Sequence, residues 1–346
     1  MTRGAGGTGG AGLRVGVLGA GRMGAFHAAA LARTEGVAEL VVADADPARA
    51  AAVAAAVGAG TAASAGELLH ARGVDAVVIA TATASHAELI VRAARAGLPA
   101  FCEKPVALSL PGTVAALREV EAAGTLLQIG FQRRFDPGFR AAREALRSGA
   151  LGRVHTIRCV TSDPAPPPPA FLPHSGGLIR DCMVHDFDTV RWLTGREVVE
   201  VYARGSDAGP AFFREAGDVA TAVALLTLDD GTLVTATATR CNGAGYDVRT
   251  ELSGDRDQWV VGLDERSPMT SAEPGGPAAP ARPWPGFLER FEGAYRAELA
   301  AFVAAVARGE TTGPCPGAEG LRALHVAEAC ERSRREDRPV RLAETG

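Results

Sequence analysis

Lysine is almost missing from this 346-residue sequence: Lys104 is the only one, and every other one of the 36 Lys and Arg side chains is arginine. Surface charge therefore rests on guanidinium groups that keep their protons. The single ammonium, which can lose one when desolvated, is marked for chemistry rather than solvation. Aromatic residues make up only 5%, and no apolar run reaches the ~18–20 residues that a membrane-spanning helix needs. A net charge of −4 without a long basic run argues against nucleic acid or an anionic membrane as partner. The six cysteines, at 102, 159, 182, 241, 315 and 330, form no C-x-x-C pair and no zinc-ligand spacing. They read as reduced thiols of a cytoplasmic protein, with no metal expected. Residues 1–12 are glycine-rich without an apolar core, which predicts a disordered tail rather than a signal peptide or anchor.

Glycine, by contrast, is plentiful, and three of the 42 stand in a meaningful place. Leu13 to Leu18 reads as a short buried strand, Gly19, Gly21 and Gly24 follow as G-x-G-x-x-G, and an alanine-rich helix starts near Arg22 and Met23. In a dinucleotide fold the first glycine makes the tight turn, the second lets backbone approach a pyrophosphate, and the third packs helix on strand. The phosphates would rest on the helix N-terminus, where free N–H groups and the dipole favour negative charge. Glu39 to Ala43 reads as the next strand and ends at Asp44, 20 residues past Gly24. A carboxylate there accepts the adenosine ribose hydroxyls and repels a 2′-phosphate, so NAD is favoured over NADP. Asp44 also reads as a turn residue or helix cap, and the two roles are compatible. Asp46, before Pro47, is the better-placed cap.

Helix Ala48 to Val57, a capping box at Ser64 and Glu67, strand Val74 to Ala80, helix Ala84 to Ala96 and strand Leu98 to Cys102 follow. The alternation predicts a doubly wound parallel sheet. Ligands bind such sheets at the carboxyl ends of the strands, where Gly19, Asp44, Thr81 and Lys104 all fall. Leu126 to Phe131 closes this half, followed by Gln132-Arg133-Arg134; the basic pair either borders a substrate or faces solvent.

From Gly152 the texture changes. Val154–Thr161, Glu197–Arg204, Val219–Leu228, Thr232–Arg240, Tyr246–Leu252 and Gln258–Val261 are strand-like, with a hairpin signal at Asp229-Asp230-Gly231. Few helices intervene, which predicts an α+β domain with an open, mainly antiparallel sheet. Between them, Val184, Phe187, Val190 and Leu193 recur every third residue in a helical segment that Gly195 stops. Asp181 and His185 lie four apart, hence on one face. A histidine with a pKa near ~6.5 can take a hydroxyl proton at neutral pH while a carboxylate orients its ring. Asp186 and Asp188 read as capping or surface charges. Residues 287–308 and 316–335 read as two late helices that pack back beside the cofactor domain.

Gly19-Ala-Gly-Arg-Met-Gly24, Ile79-Ala-Thr with His86 downstream, Glu103-Lys-Pro105 and the D-x-x-x-H of Asp181 and His185 together resemble the Gfo/Idh/MocA family, over residues 13 to 342. One departure is Ala82-Thr83, where the family often carries proline and asparagine. The resemblance implies a Rossmann domain over 13–133, an α+β substrate and oligomerisation domain over 134–335, and a terminal segment, 336–346, returning near the Rossmann domain. It implies cofactor contacts at Gly19, Gly21, Arg22, Met23, Gly24, Asp44, Thr81, His86, Glu103 and Lys104. Lys104, Asp181 and His185 become catalytic, and Arg133, Asp163 and Tyr246 substrate-binding, with sheet packing as the other reading of Tyr246. The free sheet face would join subunits into dimers or tetramers. The activity implied is NAD-dependent oxidation of a secondary alcohol of a cyclitol or sugar, with myo-inositol or an aminocyclitol-pathway relative as substrate. A nucleotide-sugar or ketosugar reductase, the family's NAD-using glycosidase chemistry and a non-catalytic dinucleotide sensor are the alternatives.

Overall fold

A computed structural model describes residues 12–345, so the tail expected over residues 1–12 lies, but for Gly12, outside the described residues. The chain divides into two compact units, one of residues 1–130 with 296–317 and one of residues 131–295 with 318–346.

In the first unit the order is β1 (Leu13–Leu18), α1 (Arg22–Leu31), β2 (Val37–Ala43), α2 (Pro47–Val57), β3 (Gly60–Thr61), α3 (Ala65–His70) and β4 (Ala76–Ile79). Then come α4 (His86–Arg95), β5 (Ala100–Glu103), α5 (Leu110–Ala123) and β6 (Leu127–Gly130). The six strands are all parallel, in the order β3-β2-β1-β4-β5-β6. The central strands are apolar on both faces because helices cover both; Val77, Val78 and Ile79 are wholly buried. Asp46 caps α2 by accepting the Ala48 and Arg49 N–H groups. The box expected at α3 is half made: Ser64 accepts the Glu67 N–H, but Glu67 reaches past its cap to the Ala63 N–H.

The second unit holds α6 (Pro137–Arg147), β7 (Val154–Ser162), the single turn α7 (Leu172–Ser175), α8 (Val184–Thr194), β8 (Val198–Ser206) and the turn α9 (Phe212–Glu215). It continues with β9 (Thr221–Leu228), β10 (Leu233–Thr239), β11 (Asp247–Gly254) and β12 (Gln258–Val261). Helices α10 (Phe287–Ala307) and α11 (Gly317–Glu336) and strand β13 (Val340–Arg341) complete the chain. The sheet runs β12-β11-β7-β10-β9-β8-β13, antiparallel except where β10 meets β7. Alternation sorts its faces: Ala222, Ala224 and Leu226 are buried, while Val223, Leu225 and Leu233 are each about half exposed, on an open face.

Two boundaries differ from expectation. Residues 296–317 belong to the first unit, because Leu299, Phe302, Val303 and Ala305 fill its core beside Val15, Val17 and Phe101. Phe302 meets Phe101 edge-on with ring centroids 6.0 Å apart. The C-terminal residues, expected beside the Rossmann domain, pair with β8 in the second sheet, where Val340 is wholly buried opposite Val201.

Candidate active site

The cofactor edge is made mainly of backbone. Gly19 sits at φ +97°, and a Cβ there would lie 2.5 Å from the Ala80 carbonyl oxygen. At Gly24 a Cβ would lie 1.8 Å from the Gly19 carbonyl, so neither position tolerates a side chain. Gly21 is different: nothing lies within 4 Å of where its Cβ would be. No internal packing asks for a glycine there, and Gly21 caps α1 without any side-chain hydrogen bond. The open cradle and the uncapped first turn, carrying Arg22 and Met23, suit a pyrophosphate. The residues present therefore fit a dinucleotide.

Asp44 accepts the Ala20 N–H of the glycine turn at 2.6 Å and the Asp46 N–H at 2.8 Å. It organises the turn as well as standing where the ribose is expected. At the ends of β4 and β5, the Ser85 hydroxyl donates to Thr81 Oγ1 at 2.8 Å, and the Lys104–Pro105 bond is cis. Two expected cofactor contacts are committed inward. Glu103 pairs with buried His27, and His86, only 1% exposed, points both ring nitrogens at backbone carbonyls.

In the second unit the candidate residues gather around an arginine the sequence did not single out. Arg240, the residue just past β10 and 3% exposed, donates to Asp181 Oδ2 at 2.8 Å and stands 3.7 Å from Asp163 Oδ2. The Cys182 thiol donates weakly to Asp163 at 3.9 Å. These carboxylates hold the Arg240 guanidinium even more firmly charged than usual, against the cost of burial. Its signal was available: the only basic residue in an apolar and threonine strand, with two acids elsewhere lacking an evident partner. His185 is half-buried and packs edge-on against Phe131, centroids 5.7 Å apart.

The helix bearing these residues does not start as a plain α-helix. Ile179–Met183 forms a π turn, closed by the Val184 N–H donating to the Ile179 carbonyl. Its entrance is pinned: Asp218 accepts the Leu178 N–H at 3.0 Å, and Arg180 forks onto Glu328 at 2.6 and 2.8 Å. Such wide turns recur where side chains must be aimed.

Arg133 and Arg134 do not face solvent. Arg133, 2% exposed, donates to Asp186 and to the Thr161 hydroxyl, which in turn donates to Asp186 at 2.9 Å. Arg134 forks onto Asp188 at 2.9 and 2.6 Å and reaches Glu319 at 3.0 Å. Asp186 and Asp188, expected as caps or surface charges, are therefore buried counter-ions, because a buried guanidinium needs one. Tyr246 is 5% exposed, and burial pushes its phenol pKa well up, so it stays protonated as a donor. Among the described residues no three His, Cys, Asp or Glu groups come together as a metal site, and no helix is long and apolar enough to cross a membrane.

A doubly wound sheet with an open glycine cradle, and a second unit presenting a histidine beside arginine-held carboxylates, define an NAD-binding oxidoreductase. Residues 13–131 match the model of the oxidoreductase family with an NAD-binding Rossmann fold, and residues 139–260 match the GFO/IDH/MocA C-terminal domain. The chain belongs to the GFO/IDH/MocA oxidoreductase family. It is 43% identical over 324 residues to a myo-inositol dehydrogenase of Streptomyces leeuwenhoekii, covering 93% of this chain and 97% of that one. It is similar to the crystal structure of a myo-inositol dehydrogenase from Corynebacterium glutamicum (TM-score 0.87, 32% identity, 96% and 99% of the two chains). A scyllo-inositol dehydrogenase from Lactobacillus casei, crystallised with NAD(H) and scyllo-inositol, matches at TM-score 0.86 and 27% identity, over 96% and 99% of the chains.

Proposed function

We propose that this protein oxidises a secondary alcohol of a cyclitol, myo-inositol or a near relative, to the ketone with NAD. The observation that carries the reading is Asp181, on the pinned π turn and held by Arg240, four residues before His185 of α8. NAD, when bound, takes up the hydride from the carbinol carbon. His185, whose Nδ1 is buried, accepts the hydroxyl proton at Nε2, and Lys104 donates a hydrogen bond to the same oxygen and steadies the charge that develops there. Asp181, its charge balanced by Arg240, serves orientation rather than proton removal. Asp163 and the Tyr246 hydroxyl are the candidate contacts to the ring hydroxyls. Asp44 favours NAD over NADP by repelling a 2′-phosphate.

The absence of a disulfide among the described residues supports a reducing, cytoplasmic setting. The half-exposed Val223, Leu225 and Leu233 support a homodimer or homotetramer through the open face. The test of the activity is NADH formation, followed by absorbance, with NAD and a panel of inositols and free sugars at mildly alkaline pH. Turnover of myo-inositol supports the reading. Silence across the panel alongside tight NAD binding overturns it.

A further inference from the structure

The Glu103–Lys104–Pro105 segment is gripped from both sides by histidines that reach no surface. On one side His27, wholly buried on α1, brings Nε2 to 2.6 Å from Glu103 Oε1. The imidazole is wedged edge-on against Phe101, centroids 5.6 Å apart. Room for the Glu103 carboxylate comes from Gly130 on the adjacent strand, where a Cβ would stand 3.1 Å from Oε2. On the other side His86 opens α4 and sets Nδ1 2.8 Å from the Pro105 carbonyl and Nε2 3.1 Å from that of Thr81. Burial lowers the His86 pKa, so the neutral ring has one proton for two acceptors, and the nearer Pro105 oxygen claims it.

We propose that His27 and His86 are positioning residues that together fix the backbone on both flanks of Lys104, and so hold its ammonium at the cofactor edge. A lysine has a flexible four-carbon stem, so the place of its amine depends on how firmly its Cα is held. Displacement of a reacting group by about 1 Å can cost about 100-fold in rate. Neither histidine is exposed enough to touch a ligand, and so neither acts by contact. The inference rests on the role given to Lys104 above.

Because Lys104 is the only lysine, its acylation by acetic anhydride on the full chain, read by mass spectrometry of its peptide, reports on that one amine without needing activity. His27→Ala and His86→Ala are expected to change this acylation rate by about threefold or more. They should lower kcat about 10- to 100-fold while the NAD Kd stays within about threefold. His27→Gln keeps a donor where Nε2 stood, His86→Asn keeps one near Nδ1, and both are expected to recover most of the loss. Glu103→Gln, which weakens the charge-assisted bond without emptying the site, applies the same test where an alanine variant does not fold. Acylation and kcat within about twofold of the parent in the folded variants overturn the proposal. So does a loss that the conservative variants do not rescue. If the parent oxidises no cyclitol, the reading of the activity fails, while the acylation arm still decides on the histidines.

Discussion

The cofactor edge of the first unit and the polar cluster of the second both carry carboxylates, yet they are built in opposite ways. At the cofactor edge the architecture is glycine and main chain: Asp44 holds the turn by accepting two backbone N–H groups. In the second unit it is side chain on side chain, with Arg240 on Asp181, Arg133 on Asp186 and Arg134 on Asp188. A backbone site is specified by short-range spacing and tolerates exposure. A site of paired charges depends on burial and on partners far away in sequence. The first should lose ligand affinity when altered, and the second should lose geometry and stability.

Lys104→Ala breaks the comparison hardest, since it removes a side-chain function from the backbone-built edge. Turnover is expected to fall by about 10³-fold or more with the NAD Kd almost unchanged, as steady-state kinetics and calorimetry will show. Next is Arg134→Met, which strands Asp188 in the interior and should cost about 3–5 kcal/mol in chemical denaturation. Arg134→Met with Asp188→Leu should restore most of that, because no uncompensated charge remains. Arg240→Met should lower kcat/KM for a cyclitol by about 100-fold and leave NAD affinity alone, confining the damage to one unit. Gly21→Ala should weaken NAD binding about tenfold without moving Tm, since nothing in the chain lies near the added methyl. Gly24→Ala, with a backbone oxygen 1.8 Å from the new atom, should instead unfold the domain.

The smallest effect concerns pH. Burial lowers the His86 pKa, so the unfolded chain binds the proton more readily than the folded one. Stability from this group is full above the unfolded value of about 6.5 and is lost as pH falls below it. His86→Asn is expected to flatten that slope in denaturation curves taken between about pH 5 and 7.5.

What could be read beforehand follows the same division. The glycine spacing, the parallel strands other than the two-residue β3, and the Asp46 cap are local patterns, and they appear within a residue or two of where they were expected. The strands of the second sheet, except the short edge strand β13, were equally legible because Asp229-Asp230-Gly231 and the alternation of β9 and β10 are local too. The ion pairs were not. Arg133 and Asp186 lie 53 residues apart, and no periodicity links them. The domain boundary expected at residue 335 left 296–317 in the second unit, yet the first late helix, read as packing back beside the cofactor domain, does fill that core with Leu299, Phe302 and Val303.

The wide turn at Ile179–Met183 also sets an aim. A π turn holds one residue more than the α-helical turn it replaces. Each residue of an α-helix turns it by about 100°, so the extra one re-aims everything before Val184, Asp181 included, without altering α8. Deleting Ile179 would swing the acid away from Arg240 while leaving every proposed catalytic side chain in the sequence. The direction of this carboxylate thus depends on the length of the helix as much as on the identity of any residue on it.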